Sequence, residues 1–285
     1  PHVTNTRHKA EKIFKDNDFE NDAPLFGIEH EFFVHDLNTG KPLGFPNSQL
    51  LPLPQGPYYC GVGAGKAYGR DFLDELLQLC VKADIKVTGS NLEVAPGQME
   101  IQICASDLQA GDDSIVFKYI ANRLGEKYNY IIDFSCKPIE GDWNGSGCHV
   151  NFSTKEMMEA ENYDVILDIL KKLEKNHKEH IKIYGNDNYK RLTGNHETST
   201  MDNFSYGVAN RGASIRIPTT LGKALIKTPI QIYSILFLFE IDSFTSTKSG
   251  NFNTFFNILF IITVLYFCNS IINNLAQKQL NKIKL

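Results

Sequence analysis

A chain of 285 residues has room for one large domain or two small ones with a substantial core. Its 42% apolar and 22% charged residues are those of a globular protein, and a net charge of −4 with dispersed Lys and Arg argues against a nucleic-acid partner. The six cysteines are far apart and form no CxxC pair, so a disulfide scaffold is excluded and reduced thiols in a cytoplasmic protein are expected.

The chain opens on Pro1 and a polar run without the pattern of a signal peptide, and it reads as starting inside a longer gene product. One short helix is expected around His8–Phe14. Phe26–Val34 (FGIEHEFFV) reads as a strand. Glu29 and Glu31 are two apart, so they point to the same side of it. On an exposed edge they would be an ordinary charged pair. Here Phe26, Ile28, Phe32 and Phe33 surround them, and two like charges on an apolar strand call for a bridging cation. Glutamate oxygens suit Mg²⁺ or Mn²⁺, whereas zinc prefers nitrogen and sulfur.

Asp36–Gly44 reads as a turn and Phe45–Gly69 as a loop-rich, proline-punctuated stretch. The glycine cluster Cys60–Arg70 (CGVGAGKAYGR) superficially suggests a phosphate loop. Gly65-Lys66 is followed by Ala67 rather than Ser or Thr, so a Walker A site is rejected. The glycines are expected to shape a loop at the mouth of a cleft. Asp71–Ala83 has the apolar spacing of a helix.

Asn91–Ile103 (NLEVAPGQMEIQI) reads as two strands around a Pro96-Gly97 turn, each with one carboxylate, Glu93 and Glu100. Single acids among apolar neighbours need a cation or hydrogen-bond donors, so these two join the first pair as a candidate hard-cation site. Asp112–Tyr128 is a second helix, and Tyr130–Phe134 a strand. Asp142–Ser153 (DWNGSGCHVNFS) is a glycine-punctuated loop that enters a strand and aims His149 into a cleft, although a lone histidine is more often structural.

Ser153 and Glu156 form a capping box for a helix running roughly to Tyr184, with His177 and His180 on its solvated face. Arg191–Pro218 is turn-rich, with a strand expected at Ala213–Ile217. Arg191, Arg211 and Arg216 lie among Gly, Ser and Thr, which suits binding of phosphate or carboxylate oxygens by the guanidinium fork.

Six segments in order carry a family resemblance: ExE at 29–31, GPYYCGVG at 56–63, NLEVAPGQMEIQI at 91–103, WNGSGCHVNFST at 143–154, RLTGNHET at 191–198 and NRGASIRIP at 210–218. Together, over about residues 4–218, they resemble the catalytic domain of glutamine synthetase of the eukaryotic-like type II branch. The resemblance implies an α+β fold, a curved mainly antiparallel sheet with flanking helices of the glutamine synthetase/guanido kinase type. It implies an ATP-dependent ligase joining L-glutamate and ammonia through a γ-glutamyl phosphate, with Mg²⁺ or Mn²⁺ at two sites. Glu31, Glu93 and Glu100 would hold one metal, and Glu29 and His149 the second. Trp143, Asn144, Gly145 and Arg191 would hold glutamate. Glu100, Asn151, Ser153, Arg211 and Arg216 would lie at the nucleotide and its phosphates. Glu197 would close a flap over the reaction beside the catalytic Arg191 and Arg211. A homo-oligomeric ring is also implied.

The sequence departs from that family in three respects. The N-terminal β-grasp domain is not seen. After Pro218 comes TTLGKALIK rather than the FEDRRP segment that supplies the last glutamate of the second metal, so impaired turnover is expected. Leu25 stands where a tryptophan is common, and Asp142 where an asparagine is. Residues 1–220 are therefore expected to be an incomplete catalytic domain. Residues 221–285, dominated by Phe, Ile, Leu, Asn and Lys, are expected to be either translated non-coding sequence or a membrane anchor at Phe252–Ile272. Two alternatives stand beside the ligase: an inactive homologue with a structural or membrane-tethered role, and a γ-glutamyl ligase for another amine.

Overall fold

The computed structural model describes residues 5–16, 21–46, 52, 55–160, 164–183, 186–218 and 230–232. The chain runs α1 (Thr6–Asp16), β1 (Leu25–Asp36), α2 (Arg70–Lys82), β2 (Val87–Leu92), β3 (Gln98–Ser106), α3 (Gln109–Tyr128), β4 (Tyr130–Asp133) and β5 (Cys148–Ser153). It continues α4 (Lys155–Glu159), α5 (Asp164–Lys175), α6 (His177–Ile183), β6 (Tyr206–Val208), β7 (Ile215–Ile217) and β8 (Ile230–Ile232). The candidate anchor Phe252–Ile272 lies outside the described residues. Among those residues no helix is long and apolar enough to cross a membrane.

One mixed sheet organises the molecule, in the order β2-β3-β1-β5-β8-β7-β6, with β4 also paired to β1. All neighbours are antiparallel except β6 and β7. The segment 221–285 thus contributes a strand, β8, between β5 and β7.

β1 is central, which rules out an exposed edge for Glu29 and Glu31. Strand alternation then sorts its side chains. Phe26, Ile28, Phe32 and Val34 face the helices and are buried, together with Met99, Ile101, Ile103, Val150 and Phe152. The α2 and α3 residues Phe72, Leu73, Leu76, Phe117, Ala121 and Leu124 cover one half of this face. The α5 residues Ile166, Leu170 and Leu173 cover the other half. Each large side chain so buried contributes roughly 1.5–3 kcal/mol. The opposite face keeps the odd-numbered polar residues of β1, and that face carries the site.

Several sequence expectations are corrected. Thr154, not Ser153, caps α4, its Oγ1 accepting from Met157 N at 3.2 Å. Ser153 is still paired with Leu25 in the ladder, so the chain stays extended one residue longer. The single helix to Tyr184 is three helices, interrupted first at Ala160, whose backbone is extended. His177 and His180 are buried rather than solvated. The 192–204 segment packs over α6 and encloses them with Leu173, Phe204 and Ile215. Burial and the neighbouring His177 lower the His180 pKa to about 4. The 213–217 strand shortens to β7, and β6 beside it was not expected.

Candidate active site

The strand registers bring the acids together. Glu31 is directly opposite Glu100 across β1 and β3, and Glu100 is opposite Asn91 of β2. Glu29 lies between Gln102 on one side and His149 on the other. Glu93 sits just past β2, where the Ala95–Gln98 turn folds it back over the sheet. Gly97, at φ 77 and packed against the Leu43 backbone, makes that turn possible. Carboxylate oxygens of Glu31, Glu93 and Glu100 all lie within 4.8 Å of one another, and all three residues are buried.

A break in the sheet positions the remaining groups. β5 pairs with Leu25–His30 of β1, while β4 pairs with Phe33–Asp36 on the same edge. In the gap the Glu31 N–H donates to Gly147 O at 3.0 Å, and the Gly147 N–H donates to Glu31 Oε2 at 2.7 Å. The other oxygen, Oε1, lies 3.1 Å from His149 Nε2. Gly147 has no room for a side chain. A Cβ there would stand 2.7 Å from His149 Nε2, 2.8 Å from Arg191 Nη2 and 2.9 Å from Glu31 Oε1.

Electrostatics make this arrangement costly without a cation. Burial, then the charges of Glu31 and Glu100, push the Glu93 carboxyl up to about 10. Burial, then Glu29 and Glu31, push Glu100 up to about 7. For Glu31 burial acts in the same direction, but the His149 hydrogen bond and the Arg191 charge outweigh it and hold the group below its ordinary range. Glu93 accepts from Asn91 Nδ2 and the Val94 N–H, and Glu100 from Gln102 Nε2, yet these donors leave both carboxyls raised. A hard divalent cation fits that donor set, with oxygens from three carboxylates and little sulfur or nitrogen. Glu29 accepts from Asn151 Nδ2 at 2.8 Å and lies on the same face beside His149.

Beyond the acids an open cleft is lined by the trio, Glu29, His149, Asn144 and the three arginines Arg191, Arg211 and Arg216. Arg191 is buried, and its Nη1 has no hydrogen-bond partner among the described residues. Glu197 pairs with Arg211 at 2.9 Å, and the Arg211 guanidinium lies over the Tyr59 ring. The neighbouring His196 sits 2.9 Å from Asp142 and 2.8 Å from Gln55. His196 and Glu197 both have positive φ, at 52° and 58°. This turn therefore carries local backbone strain.

The family profile for the glutamine synthetase catalytic domain matches residues 4–226, which contain every residue of this cleft. The chain belongs to the glutamine synthetase family. It is 48% identical to a cytosolic glutamine synthetase isozyme of Medicago sativa over 225 residues, 79% of this chain and 63% of the relative. It is 47% identical to glutamine synthetase N-1 of Phaseolus vulgaris over the same shares, and 46% to cytosolic isozyme 1-1 of Oryza sativa subsp. japonica over 76% of this chain and 61% of the relative. The chain thus spans under two thirds of the length of these glutamine synthetases.

Not every residue picked from the sequence lines the cleft. Trp143 is buried beneath it in an apolar cluster with Phe33 and Ala95, its ring 4.9 Å from that of Phe45. The Gly145 carbonyl accepts from Gln98. Asn151 and Ser153 follow His149 on the same face, but neither is part of the cleft lining. Conversely Asn91, Gln102, Tyr59 and His196 do line it and were not singled out. The alternation of β3 held a signal for Gln102, since it shares one face with Glu100. Tyr59 and His196 lie inside two of the six family segments, GPYYCGVG and RLTGNHET, with no feature of spacing to set them apart.

Proposed function

We propose that this chain carries a glutamate–ammonia ligase site, using ATP and a divalent cation to make L-glutamine. The observation that carries the reading is the buried Glu31–Glu93–Glu100 trio beside a cleft lined by Arg191, whose Nη1 has no hydrogen-bond partner among the described residues. When bound, Mg²⁺ or Mn²⁺ at the trio would neutralise negative charge on the reacting phosphate. Arg191 and Asn144 would hold the carboxylates of glutamate. Arg211 and Arg216 would meet phosphate oxygens and stabilise charge as the γ-carboxylate oxygen attacks the γ-phosphorus and ADP leaves. Ammonia then attacks the acyl carbon, a proton is lost and phosphate departs. The Glu197 turn, latched to Arg211, would keep water from the acyl-phosphate.

Glu29 and His149 would begin the second metal site, and Asn151 and Ser153 would lie toward the nucleotide. The sheet is read as the curved glutamine synthetase/guanido kinase type, and through β8 it reaches past the boundary expected near residue 220. A homo-oligomer and a cytoplasmic location belong to the same reading, the latter supported by the word cytosolic in the names of relatives.

The test uses the purified full chain with glutamate, ATP, Mg²⁺ and hydroxylamine in place of ammonia. Formation of γ-glutamyl hydroxamate dependent on ATP supports the ligase, at a rate below that of the plant enzymes because no FEDRRP segment follows Pro218. Mn²⁺ binding without any hydroxamate overturns the ligase reading. Absence of Mn²⁺ binding overturns the metal site as well.

A further inference from the structure

Gln98 is 1% exposed, yet its amide makes four hydrogen bonds to groups from different parts of the site. Nε2 donates to Glu31 Oε2 at 2.9 Å and to Gly145 O at 3.2 Å. Oε1 accepts from the Ala95 N–H at 3.3 Å and from Asn144 Nδ2 at 3.3 Å. The amide orientation follows from its partners, because a backbone N–H must meet the oxygen and a carboxylate must meet the nitrogen. One side chain therefore joins a carboxylate of the metal-type trio to the turn that places Glu93 and to the 143–147 loop.

We propose that Gln98 is a positioning residue that couples cation occupancy at the glutamate trio to the order of the 143–147 loop. The proposal rests on the metal reading above and assigns Gln98 a role within it. Glu31 Oε2 is held by two donors, Gln98 and the Gly147 N–H, which leaves Oε1 turned toward His149. Moving Glu31 toward a cation therefore pulls on both contacts, and both lead into the same loop. Partners of this kind, which orient a ligand without touching the metal, are worth 10–100-fold in affinity. The loop also contains Trp143, the sole tryptophan of the chain, so its order can be followed directly.

The test compares the full-length chain with Gln98→Met, which keeps length and volume and removes all four hydrogen bonds. Free Mn²⁺ is measured by electron paramagnetic resonance. Acrylamide quenching of Trp143 is measured without metal, and Trp143 emission during Mg²⁺ titration. The expected result is Mn²⁺ affinity about tenfold weaker or worse, a more accessible Trp143, and a smaller Mg²⁺-induced emission change than the one expected of the unmutated chain. A merely space-filling Gln98 would be rescued by methionine, so wild-type affinity and quenching in that variant would overturn the proposal. Should Gln98→Met not fold, Gln98→Glu keeps the volume and both acceptor contacts while removing the amide donor, and the same readouts decide. If the unmutated chain binds no Mn²⁺, the metal reading and the coupling fall together. If it binds Mn²⁺ and Gln98→Met matches it in every readout, only the role of Gln98 falls.

Discussion

Glu31 and Glu100 are directly opposed in the β1–β3 ladder, two carboxylates on one buried face. Like charges so placed destabilise a sheet. The raised Glu100 pKa, about 7, means the folded chain holds that proton more tightly than the unfolded chain does. Stability from this group is therefore present at low pH and is lost as pH rises from the ordinary carboxylate range through 7. Glu100→Gln is expected to stabilise the metal-free protein by on the order of 2 kcal/mol at pH 9 and by little at pH 5. Denaturant melts at the two pH values check this. Mn²⁺ at one hundred times its Kd should stabilise the unmutated chain by about 2.7 kcal/mol and Glu100→Gln far less.

Metal binding should also release protons. Glu93, pushed up to about 10, and Glu100, pushed up to about 7, both hold protons more tightly in the metal-free protein than ordinary carboxyls do. A cation needs both ionised. Mn²⁺ affinity is thus expected to rise with pH between 6 and 9, by up to roughly tenfold per pH unit for each proton displaced. Titration calorimetry in two buffers of different ionisation heat measures the proton count, and a count of zero at pH 7 contradicts the prediction.

Gly147 is expected to tolerate no side chain. The Cβ of Gly147→Ala would press on His149, Arg191 and Glu31 together, and Gly147 cannot retreat without losing its two backbone contacts to Glu31. Mn²⁺ affinity should fall by roughly tenfold or more, as for loss of a ligand-orienting partner. Gly212→Ala is the control, because the nearest atom to a Cβ there is Asn210 Oδ1 at 3.6 Å. Mn²⁺ titration of the two variants separates them.

Lys118 lies on the other side of the sheet, 4% exposed, its ammonium 4.7 Å from the Phe134 ring centroid. Burial lowers its pKa from 10.5 to about 7. The unfolded chain therefore binds the proton more tightly, and stability falls as pH drops from 10.5 toward 7 and levels off below it. Lys118→Met is expected to raise stability, by a further ~2 kcal/mol at pH 6 than at pH 9. Urea midpoints at both pH values test the sign.

Much of the site was legible because strand alternation is a local property. Glu29 with Glu31, Gln98 with Glu100, and His149 with Asn151 had to share a face of their own strands once those strands were recognised. The apolar neighbours of each acid signalled burial before any partner was known. The misreadings arose where distant segments decide the environment. His177 and His180 follow a helical spacing that looks solvated, and they are buried because the 192–204 segment lies over them. Trp143, which the resemblance places at the substrate, packs in an apolar cluster with Phe33 and Ala95, a setting its sequence neighbours do not show.

The sequence by itself determined the elements, the polar face of each strand and the membership of the glutamine synthetase family. Propensity, periodicity and ordered motifs are carried within short segments, so they need no tertiary contacts to be read. Only the tertiary structure decided that β1 is central, that β4 and β5 share its edge, and that Gly147 enters the gap between them. Those facts put three carboxylates within 4.8 Å, set two of them far from their ordinary pKa values and gave Gln98 its four partners. Pairing and register depend on contacts between residues far apart in the chain, and distance and dielectric, the quantities that set charge interactions, exist only once those contacts form.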